Sequence, residues 1–98
     1  MASRFEWDQW NADHIYERHH VHMEEAEQAL LDAERAQVFG ITQVLREKRK
    51  AVVGMTESGR YLVVIYTERG SAIRIVTARP ATAGEVRLYR RGRGRSRQ

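Results

Sequence analysis

Residues 61–89 read YLVVIYTERGSAIRIVTARPATAGEVRLY. Tyr61–Thr67 and Ala72–Ala78 are rich in Val, Ile and Tyr, which predicts two strands. Arg69-Gly70-Ser71 supplies the turn between them, so the pair reads as a hairpin. Pro80 ends the second strand. Thr82 with Glu85 three residues later matches a capping box, which predicts a third helix running to about Tyr89. Glu68, Arg69, Arg74 and Arg79 interrupt these otherwise neutral runs. Strict alternation puts Arg74 on the face of Val76 and Ala78, with its stem packed and its guanidinium directed into a cleft. Arg79 stands at the strand's exit toward the third helix. Guanidinium groups at fixed points on a rigid sheet suit phosphate, which they grip bidentately.

Upstream the pattern is helical. Phe5-Glu6-Trp7 reads as a short first strand, and Asp8 as the cap of a helix over about Gln9–His19. His20-Val21-His22 is a joint. A second helix follows from about Met23 to Ala33, with Ala26, Ala29, Leu30 and Ala33 at i, i+3, i+4 and i+7. The period changes at Gln37–Leu45, where Gly40 within an apolar run indicates a strand with a bulge. Arg46–Lys50 is a charged connection. Ala51–Thr56 is a strand, closed by Glu57-Ser58-Gly59 with Gly59 in a left-handed conformation. The order β-α-α, three or four antiparallel strands, then α predicts an α+β domain with its helices covering one face of the sheet. Residues 1–89 read as one domain. Arg90–Gln98, RRGRGRSRQ, reads as a basic disordered tail.

At 98 residues, a single domain with a limited core is expected. There are no cysteines, so disulfides, thiolate catalysis and thiolate zinc sites are excluded. No apolar run is long enough to span a bilayer, and MASRFEWDQW has no signal-peptide apolar region, so a cytoplasmic protein is expected. The net charge of +4 hides an asymmetry. Residues 1–34 hold two basic and nine acidic side chains, a balance of −7, while residues 35–98 hold fifteen and four, a balance of +11. The second part has the footprint of a nucleic-acid binder, against the alternative that the excess serves solubility alone.

His14, His19, His20 and His22 crowd together. A metal site would want an i, i+4 pair on one helix face, and none occurs. The other readings are imidazolium groups at a helix C-terminus and a histidine, His19, that titrates near neutral pH and acts on RNA. Glu68 and Arg69 are either exposed turn residues or part of a site. Tyr61, Tyr66 and Tyr89 are candidates for stacking on bases, Tyr61 and Tyr66 fitting better as packing groups. Trp7 and Trp10 read as core or partner-interface residues. No P-loop, no Ser/His/Asp pattern and no GxGxxG is present, so no cofactor is expected.

Phe5-Glu6-Trp7-Asp8, Arg18-His19-His20-Val21, Glu24-Glu25-Ala26, Gly59–Val64, Thr67-Glu68-Arg69-Gly70 and the run Ile73–Arg79 leading to Ala81-Thr82, Glu85 and Tyr89 together resemble the BrnT toxin family of the RelE-like ribonuclease superfamily. The resemblance covers about residues 5–90. Gln9, Asn11, Ile15, His20 and His22 depart from the family pattern, the usual residue at 20 being glycine, so the chain resembles a divergent branch. The resemblance implies a RelE-like two-layer fold and a metal-independent endoribonuclease. Its partners would be RNA and a ribbon-helix-helix antitoxin, operator DNA being reached only through the antitoxin. A homodimer is compatible with it. The implied chemistry is attack of a ribose 2′-OH on the adjacent phosphate. His19, Glu68, Arg74 and Arg79 are the catalytic candidates it implies: Arg74 and Arg79 for the phosphate, His19 or Glu68 as base or acid. Arg18, Arg60, Arg69 and Tyr89 are the candidates for holding RNA. The alternative is a binding module of the same fold that does not cleave.

Overall fold

In the computed structural model, residues 4–7, 9–38 and 49–96 are described. The elements are β1 (Arg4–Glu6), α1 (Gln9–His19), α2 (Met23–Leu31), β2 (Ala36–Gln37), β3 (Arg49–Met55), β4 (Tyr61–Arg69), β5 (Ala72–Pro80) and α3 (Ala83–Ser96). Among the described residues the strands form one five-stranded sheet in the order β1-β5-β4-β3-β2. β1 runs parallel to β5 and the other pairs are antiparallel. The α+β class and the element order are those expected from the sequence. Asp8, the side chain of Trp10 and most of the strand expected over Gln37–Leu45 lie outside the described residues.

Alternation along β4 separates two cores. Leu62, Val64 and Tyr66 point to one face and join Val52, Ile75 and Ala78 under Ile15 of α1 and Ala26, Ala29 and Leu30 of α2. Val63 and Ile65 point to the other face, where Val53, Ala51 and Tyr61 pack with Tyr89 of α3. The helices therefore do not all share one face, as the sequence suggested: α1 and α2 lie on one side and α3 on the other. Each fully buried Leu, Ile or Val contributes roughly 1.5–3 kcal/mol through apolar burial. Trp7 packs against the first core, and its indole N–H donates to Glu27 Oε2 at 2.6 Å.

α3 also corrects an extent. It does not end near Tyr89 but runs through the arginine-rich segment to Ser96. It packs along β3 and β2, and a side-chain carbon at Gly92 would touch Ala36 at an ordinary 3.8 Å. Docking on the strand edge thus carries the helix into a composition that reads as disordered, tertiary context overriding propensity.

The hairpin contains a register shift. Ile65 pairs with Thr77 but Tyr66 pairs with Ile75, leaving Val76 as an extra residue. The bulge inverts the alternation beyond it. Arg74 stands opposite Thr67, and Arg79 opposite Val63, so both arginines lie on the α3 side of the sheet. The expected grouping of Arg74 with Val76 and Ala78 fails for this reason: Ala78 belongs to the opposite face.

α2 approaches the sheet closely over Gly54, where any side-chain carbon would collide with the Ala29 carbonyl group. That neighbour is backbone and cannot step aside. Gly54→Ala is expected to destabilise the fold by about 1–3 kcal/mol or more, as overpacking does, read as a lowered urea midpoint; an unchanged midpoint would remove this contact as a packing constraint.

Candidate functional site

α1 ends at His19 and packs against β5, the strand that carries Arg79. The His19 imidazole is pulled below its ordinary 6.5, first by burial, then by the charges of Arg18, Arg79 and His14. Neutral imidazole is therefore the dominant form at neutral pH, the form that accepts a proton. Arg18 is exposed and its Nη1 lies 3.4 Å from His14 Nε2, one turn back on the same helix. Two candidates sixty residues apart in the chain, His19 and Arg79, thus share one electrostatic neighbourhood, with Arg18 and His14 beside them.

Arg79 is not isolated there. Its Nη1 and Nη2 donate to Glu85 Oε1 and Oε2 at 2.9 and 2.8 Å, a bidentate pair. The same Glu85 completes the capping box expected for α3: Thr82 N–H donates to Oε1 at 2.8 Å, and Glu85 N–H donates to Thr82 Oγ1 at 3.2 Å. The Arg79 guanidinium, ahead of the Thr82 N–H, holds the Glu85 carboxyl down at about 2. Sequence reasoning found Glu85 as a cap and missed it as the partner of Arg79, although a capping-box carboxylate must point back toward the residues that precede the helix.

Glu68 and Arg79 are not brought together. Glu68 stands five residues along β4 from the partner of Arg79, about 17 Å at strand rise, and alternation turns it to the opposite face. It is exposed and accepts from Lys50 Nζ at 2.9 Å. Arg74 is half-buried on the Arg79 side, about 13 Å further along the sheet at strand rise, with Glu6 of β1 directly opposite. The Arg69 side chain lies outside the described residues; its backbone ends β4 before Gly70, which has φ +60. Arg60 turns inward, to Glu25 and to the His20 carbonyl.

Tyr89 is corrected outright as a base-stacking group. It is 1% exposed, its ring packs edge-on against Tyr61 at 5.4 Å, and its hydroxyl donates to Asp32 Oδ2 at 2.6 Å. It offers no face to a nucleobase; the signal available was its position three residues after Val86 on the apolar side of the helix.

Among the described residues no group of three or more His, Asp and Glu side chains is arranged to hold a metal ion, and no helix is long and apolar enough to cross a membrane. An open groove of about 370 Å³ between α1 and α2 is lined by Asp13, Glu17 and Glu24 around Tyr16. Its three carboxylates make the groove unfavourable to phosphate.

Residues 7–85 match the family described as "Ribonuclease toxin, BrnT, of type II toxin-antitoxin system". The chain belongs to the BrnT toxin family. That family consists of ribonuclease toxins of type II toxin–antitoxin systems, whose activity implies an RNA substrate and whose pairing implies an antitoxin. The 1.1 Å crystal structure of the Brucella abortus ribonuclease toxin BrnT superposes with a TM-score of 0.62 at 17% identity, covering 83% of this chain and 99% of that one. At that identity the likeness speaks for the BrnT fold. Among curated proteins no sequence matches this chain.

The Arg79–Glu85 pair makes a pH prediction. The Glu85 carboxyl is depressed from 4.5 to about 2, so the folded state binds fewer protons than the unfolded chain across that window. Its stabilisation is complete above pH 4.5 and is lost as pH falls toward 2. The interval corresponds to roughly 3 kcal/mol as an upper bound. Glu85→Gln should lower stability at pH 7 by about 1–3 kcal/mol and flatten this part of the acid profile, measured by urea unfolding from pH 7 to pH 2; a variant with the parental acid profile would refute the assignment.

Proposed function

We propose that this chain is a metal-independent endoribonuclease in which His19 is the general base. Neutral His19 takes the proton of a ribose 2′-OH. The 2′-oxygen attacks the adjacent phosphorus, and the bond from phosphorus to the 5′-oxygen breaks. The negative charge that grows on the phosphoryl oxygens is stabilised by Arg79 and Arg18. Arg74, on the same side of the sheet, and Arg69 contact the phosphate backbone further along the strand. The observation that carries this reading is the shared neighbourhood of His19 and Arg79, in which burial and three neighbouring basic groups keep the imidazole neutral. Glu68 is too distant from that pair to serve as its acid, and water is the proton source left for the departing 5′-oxygen.

The partner in this reading is a ribbon-helix-helix antitoxin, through which alone the toxin reaches operator DNA, and both act in the cytoplasm. The bidentate Arg79–Glu85 pair favours a second reading: with the guanidinium already held by a carboxylate, the chain binds RNA without cleaving it.

The same assay separates the two. Purified protein should cleave single-stranded RNA at full rate in EDTA; loss of cleavage restored by a divalent cation would overturn the metal-free mechanism. His19→Ala and Arg79→Ala should each lower the rate about 10²–10³-fold while circular dichroism stays parental. The wild-type rate should rise with pH through a midpoint below 6.5 and then level, because the base works unprotonated and its titration is depressed. A folded His19→Ala protein that cleaves at the parental rate removes the histidine from the mechanism, and tight RNA binding without any cleavage selects the second reading.

A further inference from the structure

The joint between α1 and α2 is held from outside. Arg60, just before β4, reaches back forty residues, and its Nη1 donates to the His20 carbonyl oxygen at 3.1 Å. The same Nη1 meets Glu25 Oε1 and Oε2 at 3.0 and 3.1 Å. Glu25 Oε1 also accepts from the His22 N–H at 3.1 Å, so one carboxylate ties Arg60 to the first turn of α2. The joint itself is strained. His20 has φ +54, the left-handed region that side chains rarely adopt. Such a conformation persists where the surroundings over-determine it. His20 N–H donates to the Tyr16 carbonyl at 2.8 Å, closing the last turn of α1, and the next peptide oxygen is the one Arg60 holds.

His19 is therefore one residue away from a clamped, left-handed peptide. We infer that Arg60 is a positioning residue: through Glu25 and the His20 carbonyl it fixes the last turn of α1 and so holds the His19 imidazole at the Arg79 end of β5. The inference rests on the reading of His19 as the base. It replaces the expectation that Arg60 holds RNA, since the bonds Arg60 makes run inward to the protein's own carboxylate and carbonyl. The charges that lower the His19 titration are those of Arg18 and His14 on its own helix and of Arg79 on β5, whose guanidinium is paired with Glu85 of α3. Released from the clamp, the imidazole leaves both its partial burial and this cationic surrounding.

Three variants of the full chain test this: Arg60→Ala, Arg60→Lys, which keeps a charge for Glu25, and Glu25→Gln. The readouts are the His19 ring-proton titration by NMR, kcat and KM on single-stranded RNA well below the melting temperature, and the melting temperature itself. In Arg60→Ala the His19 midpoint should move up toward 6.5, and kcat should fall about 10–100-fold with little change in KM, as small misplacements of a catalytic group do. Glu25→Gln should move both in the same direction, and Arg60→Lys should recover part of each. A raised KM with a weaker salt dependence and an unmoved His19 titration would make Arg60 an RNA contact and overturn the inference. A lowered melting temperature with titration and kcat both parental would overturn it too. If Arg60→Ala does not fold, Arg60→Lys and Glu25→Gln carry the same readouts. Should the wild-type protein cleave no RNA, the ribonuclease reading fails by itself, and the His19 titration alone still decides whether the clamp holds the ring.

Discussion

Helices on both faces of one sheet need a connection that passes around the sheet, and Asp32 supplies it. It caps the end of α2, where its backbone leaves helical geometry at φ −60 and ψ 124. One carboxylate oxygen accepts from Glu34 N–H at 2.9 Å and turns the chain toward β2. The other accepts from Met55 N–H at 2.9 Å, at the end of β3, and from the Tyr89 hydroxyl at 2.6 Å, in the middle of α3. Hydrogen bonds to a carboxylate are stronger than neutral ones. A single side chain thus couples the layer that carries His19 to the layer whose first turn carries Glu85, the partner of Arg79.

The cationic half of the chain divides into groups with different tasks. Arg60 is bound to Glu25, Arg79 to Glu85 and Lys50 to Glu68. The exposed Lys50–Glu68 pair is worth little by itself, since solvent and salt screen it. The Arg79–Glu85 pair is better shielded and bidentate, and in the proposed mechanism an incoming phosphate must compete with a carboxylate already in place. That competition weakens binding of the ground state. It leaves room for a stronger interaction as charge builds on the phosphoryl oxygens, the difference that accelerates a reaction.

Much of this fold was legible in local pattern. β4 and β5 follow from β-branched runs around Gly70, α1 ends at the expected His19, and the Thr82/Glu85 box marks the start of α3. What failed is what local pattern does not encode. Val76 is an ordinary strand residue, and nothing in its neighbours marks it as the extra one, so the faces of Arg74 and Ala78 were wrongly joined. The separation of Glu68 from Arg79 depends on register, and register is a property of two strands. Arg60 and Glu25 are 35 positions apart, beyond any helical or strand period. α3 continues past Tyr89 because it docks along β2, where composition alone argues for a solvated tail.

The extra residue in β5 has a consequence for how such a surface is gained or lost. Since side chains alternate with a period of two, one inserted residue reassigns every position beyond it to the other side of the sheet. The guanidinium of Arg74 owes its side to Val76, which itself carries no charge. Deleting that single valine would remove the bulge and leave Arg74 opposite Thr67 and Arg79 opposite Val63; taking it into the ladder as a paired residue would instead turn Arg74 toward the helices α1 and α2, without altering one ionisable group in the protein. The charge composition of a chain like this one can therefore stay constant while a one-residue slip in register redraws where that charge is displayed.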